Sequence, residues 1–424
     1  MEMIQRFAFF PIHFDHKGAI TSGLNDLKTN ASNFTDLIIF CHGFRNDEND
    51  ARALYTKFLT NLDPQMNDAS LSAKFAGRSF AVAGALWPSM VFKEPNDSGN
   101  ALSAGNNDRA RLTQLGSDLS ADEKTHIDAM LANLANAETS EQAKTAMVNA
   151  LLSLAKLQPS LQHEFDSAFT PDIASTLIAG LSAGDDSGEV IDPTKNTGAG
   201  GAQGLGAILG FPAKFLNLTT FLLMFERCGI IGEKGLAEVA RQAKSKNADL
   251  HIHLIGHSLG GRAVTACAKS LLSAPKLQAN SMMLLQAAYS QFGLSPANPR
   301  GHFREVIEQQ AIQQPILSTH SDHDSVVGFA YTAMATISGN NARAVSLNPN
   351  NTFGGIGRNG VKNTPEALDD LLLEAGTATY PLQQGHLHNL NGTRDVGGKP
   401  LIDSHGDVRN PHVTWAFANL LAAS

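Results

Sequence analysis

The sequence predicts an α/β protein with a doubly wound, mostly parallel sheet. Three observations indicate this class. Short apolar runs without polar alternation are typical of strands buried on both faces, and they occur at residues 37–40, 80–86, 250–255, 282–285 and 315–319. Helical patterns at residues 233–243 and 262–272 lie between them, and each of the first three runs is followed by turn residues.

Composition limits the class of protein. The chain has 424 residues, of which 42% are hydrophobic and 17% charged, enough for one large domain with additions or for two to three domains. The net charge of −8 gives no support to a nucleic-acid footprint or to a polybasic lipid anchor. Three cysteines without a C-x-x-C pair signal neither a disulfide framework nor a structural zinc site.

Targeting signals are not visible in the sequence. Residues 1–20 have neither a continuous apolar core nor a cleavage site, so we expect a cytoplasmic protein, with secretion left open. The uncharged run at 215–225 is shorter than the ~18 to 20 residues that a membrane span needs. It predicts a buried or lid-associated helix, and no transmembrane segment is expected. Oligomeric state stays open.

The middle of the chain differs from both ends. Residues 95–210 are rich in Ala, Asn, Asp, Ser and Gly and lack strand-like runs. We therefore predict a core formed by residues 1–94 and 211–424, interrupted by a helical insertion at 95–210.

Helix-start signals support the insertion. Ser120 and Glu123 fit a capping box, and Thr139 with Gln142 repeats the pattern. Apolar residues behind the first signal recur with helical spacing at positions 127, 130, 131 and 134.

One motif indicates a catalytic residue. Residues 256–260 read Gly-His-Ser-Leu-Gly, which matches G-x-S-x-G, and they directly follow an apolar run and precede a helical pattern. A sharp strand-to-helix turn needs small flanking residues, and it exposes the serine above a helix N-terminus. The context predicts that Ser258 is a nucleophile; a glycine-rich turn with an ordinary surface serine is the plainer alternative.

This strand, Gly-His-Ser-Leu-Gly-Gly and helix resemble the α/β-hydrolase superfamily, especially its lipase and serine-esterase branches. The resemblance covers residues 37–87 and about 211 to the C-terminus, and it leaves out the insertion. It implies a catalytic triad in the chain order serine, acid, histidine.

The acid is expected after the fifth apolar run. Asp324 followed by Ser-Val-Val is similar to the acid turn of the family and is our choice; Asp322 is the alternative, since turns favour Asp at either position.

The base is expected in the loop before a final helix, whose start is marked by Asn410 as N-cap and Pro411 at the first position. His405 lies in that loop, where the family places its catalytic histidine. His412 falls inside the helix, and residues 386 and 388 are assigned to a strand.

The oxyanion hole needs two converging backbone donors. The amide of Leu259 follows the nucleophile and is the first. His42-Gly43-Phe44 follows the first apolar run and resembles the lipase His-Gly-x element, which implies the amide of Phe44 as the second.

These residues predict a serine hydrolase that cleaves carboxylic esters through an acyl-enzyme, with a small-molecule or lipid-like acyl ester as its partner and no cofactor. Thioesterase, peptidase and acyltransferase activities share the same residues, and a non-catalytic binding scaffold is a further alternative. The insertion is a candidate lid that covers an acyl pocket together with Phe211, Phe215, Phe221 and Phe225; a decorative helical layer is the alternative.

Two clusters of histidine and aspartate invite a metal interpretation, at residues 320–324 and 403–407, but no metal-ligand spacing frames them and no metal is expected. His251 and His253 alternate along the nucleophile strand and are predicted to be hydrogen-bonded core histidines.

Overall fold

The protein has an α/β fold in which helices cover both faces of a large, mostly parallel sheet. The computed structural model describes residues 2–89, 104–117, 119–159, 172–182, 210–297, 300–313, 315–327 and 354–424.

The central sheet contains ten strands, and a two-stranded ribbon lies outside it. The strands in chain order are β1 (Glu2–Ile4), β2 (Phe7–Phe14), β3 (Ile20–Ser22), β4 (Asp36–Cys41), β5 (Phe80–Leu86), β6 (His251–His257), β7 (Ser281–Leu285), β8 (Ile316–His320), β9 (Ala367–Leu371) and β10 (Leu387–Asn391), with β11 (Asp395–Val396) and β12 (Lys399–Pro400) in the ribbon. Their order across the sheet is β1-β2-β5-β4-β6-β7-β8-β10-β9, and β3 also pairs with β2. All pairings from β2 to β9 are parallel, so the carboxyl ends of these strands share one edge.

The helices of the described residues are α1 (Leu24–Asn30), α2 (Glu48–Met66), α3 (Ala104–Ser117), α4 (Ala121–Asn133), α5 (Glu141–Lys156), α6 (Asp172–Ser182), α7 (Phe211–Ile230), α8 (Ala237–Lys246), α9 (Leu259–Leu271), α10 (Arg304–Glu308), α11 (Ile356–Asn359) and α12 (Pro411–Ala423). Short 3₁₀ turns occupy Ala31–Asn33, Ser72–Phe75 and Leu134–Asn136, and a π-helical turn, Ile231–Leu236, joins α7 to α8.

Strand β4 explains why the apolar runs lack alternation. Leu37 and Ile39 point into a core shared with α7, α8 and α9, whereas Ile38 and Phe40 point into a second core shared with α2 and α12. Because both faces of the sheet are covered, every residue of this strand is buried.

The five predicted core strands all form, with boundaries shifted by one or two residues. Strand β2 was not predicted, and Pro11 in its middle is unusual inside a sheet because it has no N–H to donate to a neighbouring strand. Pro11 is accommodated because β1 pairs with residues 7–9 and β3 with residues 13–14, which leaves the outer side of β2 without a strand partner at the proline.

The described parts of residues 95–210 are helical, with α3 to α6 packed on one another and on α7. The capping box of Ser120 and Glu123 is confirmed. The second predicted cap is wrong by one residue: Ser140, not Thr139, accepts from the amide of Ala143 at the start of α5. The apolar stripes of α4 and α5 are buried in the core.

One helical run of the described residues, Phe211–Lys246, is long and apolar enough to cross a membrane by length and composition. Its most apolar window is 83% buried inside the protein, as expected for a core helix of a globular fold. The predicted buried helix at residues 215–225 is therefore confirmed within α7.

Candidate active site

Ser258 lies in the turn between β6 and α9 and has a strained backbone. Its φ of 58° and ψ of −125° are unfavourable for a residue with a side chain. The surrounding structure maintains this conformation: the amide of Ser258 donates to the carbonyl of Leu285 at 3.0 Å, and its carbonyl accepts from Ala288 at 3.0 Å. Strain of this kind, maintained by neighbouring strands, is typical of a functional turn.

The glycines of the motif are required by close approach of backbone. A Cβ on Gly256 would stand 2.2 Å from the carbonyl oxygen of Gly260, and a Cβ on Gly260 would stand 2.1 Å from that of Cys41. No larger residue fits at either position without a shift of the backbone. The G-x-S-x-G spacing therefore reflects steric limits of the turn itself.

Asp324 and His405 form a buried pair at the same edge of the sheet. The Nδ1 of His405 donates to Asp324 Oδ2 at 2.8 Å, although 81 residues separate the two in the chain. Asp324 is fully buried, and its other oxygen accepts from the amide of Val327 at 2.9 Å. Since Nδ1 carries the proton, the neutral imidazole keeps Nε2 as an acceptor.

The alternative acid, Asp322, lies elsewhere. Its side chain is exposed, its amide donates to Thr393 Oγ1 at 3.0 Å, and its carbonyl accepts from Arg358. The structure brings Asp324, and not Asp322, to His405.

The loop that carries His405 lies between β12 and α12, as the sequence predicts. Asn410 caps α12 by accepting from the amides of His412 and Val413, and its amide group donates to the carbonyls of Leu401 and Asp407 at 2.9 Å. The predicted cap is thus confirmed, and it also fastens the loop to the helix. His412 lies in the first turn of α12, and His388 lies in β10.

The loop after β4 lies against the serine. A Cβ on Gly43 would stand 2.5 Å from the Cβ of Ser258 and 3.1 Å from its Oγ, so only glycine allows this approach. The carbonyl of Gly43 accepts from His42 Nδ1 at 2.9 Å and from Asn46 Nδ2 at 3.2 Å. Because C=O and N–H point in opposite directions across a trans peptide, the amide of Phe44 is directed away from these two donors.

The amides of Phe44 and Leu259 are both available. Within the described residues, neither donates a hydrogen bond to another group of the protein. Leu259 is the first residue of α9, where an amide has no acceptor inside the helix. One predicted oxyanion donor thus begins the helix directly after Ser258, and the other follows Gly43, which lies against Ser258.

His42 holds the loop after β4 in place through contacts of its ring and its backbone. Its ring stacks on Trp87 with centroids 5.5 Å apart, and its carbonyl accepts from Trp87 Nε1 at 3.0 Å. Its amide donates to the hydroxyl of Tyr55, which in turn donates to the carbonyl of Ala85 at 2.6 Å. Burial lowers the pKa of His42 to about 4, so the ring is neutral and acts as a hydrogen-bond donor rather than a charge.

The hydroxyl of Ser258 does not hydrogen-bond to His405 in this structure, in which both residues are described. It faces Gly43 instead. His257, the residue before the serine, connects the two segments, because its ring lies 4.7 Å from the ring of His405 and its Nε2 donates to the carbonyl of His405. Hydrogen bonds between nucleophile and base are often long or misaligned without substrate, and rotation about χ1 of a serine is fast.

Helix α7 borders the site on the side of the loop after β4. Phe221 packs edge-on against Phe44 with centroids 5.8 Å apart, and Arg45 donates to Asn217. Of the four phenylalanines expected to cover an acyl pocket, Phe221 alone has this contact among the described residues. All four are nevertheless buried members of the same core: Phe211, Phe215, Phe221 and Phe225.

The metal interpretation has no geometric support at the two predicted clusters. In the described chain, the His, Cys, Asp or Glu residues whose ligand atoms converge within 4.8 Å are Asp36, His251 and His253, at the opposite edge of the sheet. Asp36 forms a salt bridge with Arg78, which competes with a cation. The prediction of a hydrogen-bonded core histidine is confirmed for His253. It is wrong for His251, whose side chain is 44% exposed and whose Nδ1 has no hydrogen-bond partner among the described residues.

Three residues at this edge were not recognised in the sequence. His257 and Gln286 donate to carbonyls of the His405 loop, and Arg358 donates to the carbonyls of Asp322 and Asp324. The first two follow a usable signal, because residues at the carboxyl ends of adjacent parallel strands meet at one edge. Arg358 on α11 carries no comparable signal.

No family model matches the chain, and no curated protein or solved structure matches it at a significant level.

Proposed function

We propose that this chain is a serine hydrolase of the α/β-hydrolase superfamily that cleaves carboxylic esters, with Ser258 as nucleophile, His405 as base and Asp324 as its partner. One observation carries the proposal. The buried Asp324–His405 pair, bonded at 2.8 Å, accepts a hydrogen bond from His257 at the carbonyl of His405, and the serine that follows His257 in the chain is held at φ 58° in a strand-to-helix turn. A serine, a histidine base and a carboxylate that orients the histidine are the groups of an activated nucleophile.

The first half of the reaction forms an acyl-enzyme. Ser258 Oγ, after rotation toward His405, attacks the carbonyl carbon of the ester as its proton moves to His405 Nε2. Asp324 stabilises the resulting imidazolium through Nδ1–H. The negative charge that develops on the carbonyl oxygen is stabilised by the amides of Phe44 and Leu259. The C–O bond then breaks, and the leaving alcohol takes the proton from Nε2.

The second half uses the same groups with water. His405 Nε2 removes a proton from water, whose oxygen attacks the acyl carbon. The amides of Phe44 and Leu259 again stabilise the oxyanion. Collapse of this intermediate breaks the bond to Ser258 Oγ, which recovers its proton from His405. Ester and water have become acid and alcohol, and the protein is unchanged.

The test is covalent labelling with a fluorophosphonate, which reacts with an activated serine. The parent protein should label at Ser258 and hydrolyse p-nitrophenyl esters. Ser258→Ala should lose labelling and lower kcat by on the order of 10³- to 10⁶-fold. The matched control is Ser270→Ala, since Ser270 lies on the exposed side of α9 and bonds to the carbonyl of Glu233. It should label like the parent.

Substrate chemistry is tested in the same preparation. Esters of increasing acyl length, an acyl thioester and an anilide should rank with the oxygen esters highest in kcat/KM. Labelling or hydrolysis that survives in Ser258→Ala overturns the proposal. Faster turnover of the thioester or the anilide keeps the nucleophile and rejects the ester as the preferred substrate.

A further inference from the structure

Two buried side chains fasten the His405 loop at consecutive carbonyls. His257 Nε2 donates to the carbonyl of His405 at 3.0 Å, and Gln286 Nε2 donates to the carbonyl of Ser404 at 2.9 Å. His257 is the last residue of β6, and Gln286 directly follows β7. Strand β6, which the serine directly follows, and the adjacent strand β7 thus each contribute one donor to the same loop.

From this geometry we infer that His257 and Gln286 are positioning residues that set where His405 stands relative to Ser258. The inference rests on the proposed function, since it assigns roles around the same nucleophile and base. Neither residue is the nucleophile, the base or the acid. Each donates to a backbone carbonyl of the loop, and each side chain also lies against a member of the pair: the ring of His257 against that of His405, and Gln286 Nε2 against Asp324 Oδ2.

The loop needs such support because Asp324 alone does not determine the place of the ring. The bond between Asp324 and His405 Nδ1 sets the tautomer and one contact point. The rest of the ring's position follows from its backbone, which the structure assigns to neither a helix nor a strand. Two hydrogen bonds at successive carbonyls restrict that backbone, and small misplacements of a catalytic group cost much of its rate.

Gln286 also links the acid to the base. The same Nε2 that donates to Ser404 lies 3.3 Å from Asp324 Oδ2, so one amide nitrogen lies between the carboxylate and the loop. Its Oε1 is buried without a hydrogen-bond partner among the described residues. An unpartnered buried oxygen costs about 1 to 3 kcal/mol, so stability alone does not account for an amide at this place.

Backbone strain marks the same edge. Positive φ occurs at six non-glycine residues of the described chain, and three of them follow adjacent strands: Arg45 after β4, Ser258 after β6 and Gln286 after β7. Their φ values are 61°, 58° and 44°. Because each such residue costs of order 1 to 3 kcal/mol, their grouping at one edge indicates a functional constraint on all three turns.

The ring of His257 is suited to donate. Burial, followed by the neighbouring charge of His405, lowers the pKa of His257 well below its usual 6.5, so the ring is neutral at working pH. A neutral ring with its proton on Nε2 supplies the hydrogen bond without adding a second positive charge beside the base.

The experiment removes each donor while it retains side-chain volume. His257→Leu and Gln286→Met should each lower kcat by ~10- to 100-fold with KM unchanged, because binding of the ester does not require the base. His257→Gln keeps an amide donor and should recover most of the lost kcat. The matched control is His388→Leu, another buried histidine, which bonds to Asp370 Oδ2 at 2.6 Å near the far end of the sheet. It should lower the melting temperature without a change in kcat.

A further variant tests the inference even if His257→Leu and Gln286→Met fold poorly. Gln286→Glu retains the size of the side chain but offers only acceptors to Ser404 and Asp324, so its labelling rate should fall by ~10-fold or more. Folded variants that lack these donors yet keep the parental kcat and labelling rate overturn the inference. Equal losses of kcat in His257→Leu and His257→Gln do the same. A parent that fails to label at Ser258 rejects the proposed function instead, which separates the two failures.

Discussion

Among the residues that the structure describes, two buried aspartate–histidine pairs have nearly equal hydrogen-bond lengths, one at each edge of the sheet. At the carboxyl edge, Asp324 and His405 are joined at 2.8 Å; at the amino edge, Asp36 and His253 are joined at 2.9 Å. Both carboxylates are fully buried. A short distance between carboxylate and imidazole therefore does not by itself identify a catalytic pair.

The two pairs differ in whether both ring nitrogens of the histidine have a hydrogen-bond partner. Both ring nitrogens of His253 are bonded, one to Asp36 and the other to the hydroxyl of Ser281 at 2.8 Å. Asp36 additionally accepts from Arg78 and from Thr35 Oγ1. In contrast, the Nε2 of His405 has no partner within the described residues. One pair is saturated, and the other has a position left for a proton from a substrate or nucleophile.

The two carboxylates also differ in their neighbours. Burial by itself would raise the pKa of Asp36, but hydrogen bonds from His253 and Arg78 outweigh it and hold the pKa well below its usual range. Such a carboxylate is a permanent anion that stabilises the fold. The pair at the amino edge therefore has a structural role, and the pair at the carboxyl edge is the one to which our proposal gives a chemical role.

The largest difference between the two pairs is expected from the same substitution at both edges. Asp324→Asn should lower kcat by on the order of 10⁴-fold with a small change in stability, because it no longer stabilises the imidazolium. Asp36→Asn should keep kcat and lower the free energy of unfolding by about 3 kcal/mol, because it removes the charge that Arg78 and His253 face. Steady-state kinetics and urea unfolding measure both. Similar kinetic losses from both substitutions would contradict the division of roles.

A smaller effect is expected from the loop after β4. Gly43→Ala introduces a Cβ 2.5 Å from that of Ser258, which pushes the amide of Phe44 away from the serine. The expected loss in kcat is ~10²-fold, similar to loss of one oxyanion donor. Gly116→Ala in α3 is the control, since its Cβ would make only ordinary contact at 3.4 Å. Kinetics on a p-nitrophenyl ester, with circular dichroism for folding, decide it; a parental kcat in Gly43→Ala argues against this oxyanion site.

The smallest effect concerns stability at mild acid pH. Burial lowers the pKa of His42 and of His320 from 6.5 to about 4, and lowers that of His253 as well. The unfolded chain therefore binds more protons than the folded chain between about pH 6.5 and 4. The free energy of unfolding should fall as the pH falls through this window.

Urea unfolding at pH 7.5, 6 and 5 measures this dependence. His253→Gln should flatten it, because one histidine that must stay neutral is gone. Stability that is constant from pH 7.5 to 5 would mean that the buried histidines are not kept neutral by the fold.

Much of the site was predictable because its signals are local. The turn at Ser258 requires glycines at fixed offsets, so its motif is visible in five residues, and the cap of α12 is visible in Asn410 and Pro411. Local signals were not sufficient where a partner far away in the chain decides the outcome. Pro11 is tolerated in β2 only because of where β1 and β3 end, and the two aspartates at 322 and 324 are equivalent as turn residues until His405 approaches one of them.

By itself, the sequence determined the strands buried on both faces, the strand-to-helix turn at the serine and the loop that holds the histidine. Each depends on patterns within a few residues: apolar runs, small residues where backbones touch, and side chains that cap a helix. Only the tertiary structure decided which carboxylate meets which imidazole, and which of two buried pairs keeps an open nitrogen. Those outcomes depend on hydrogen bonds between segments that are 81 and 217 residues apart, and spacing along the chain carries no record of them.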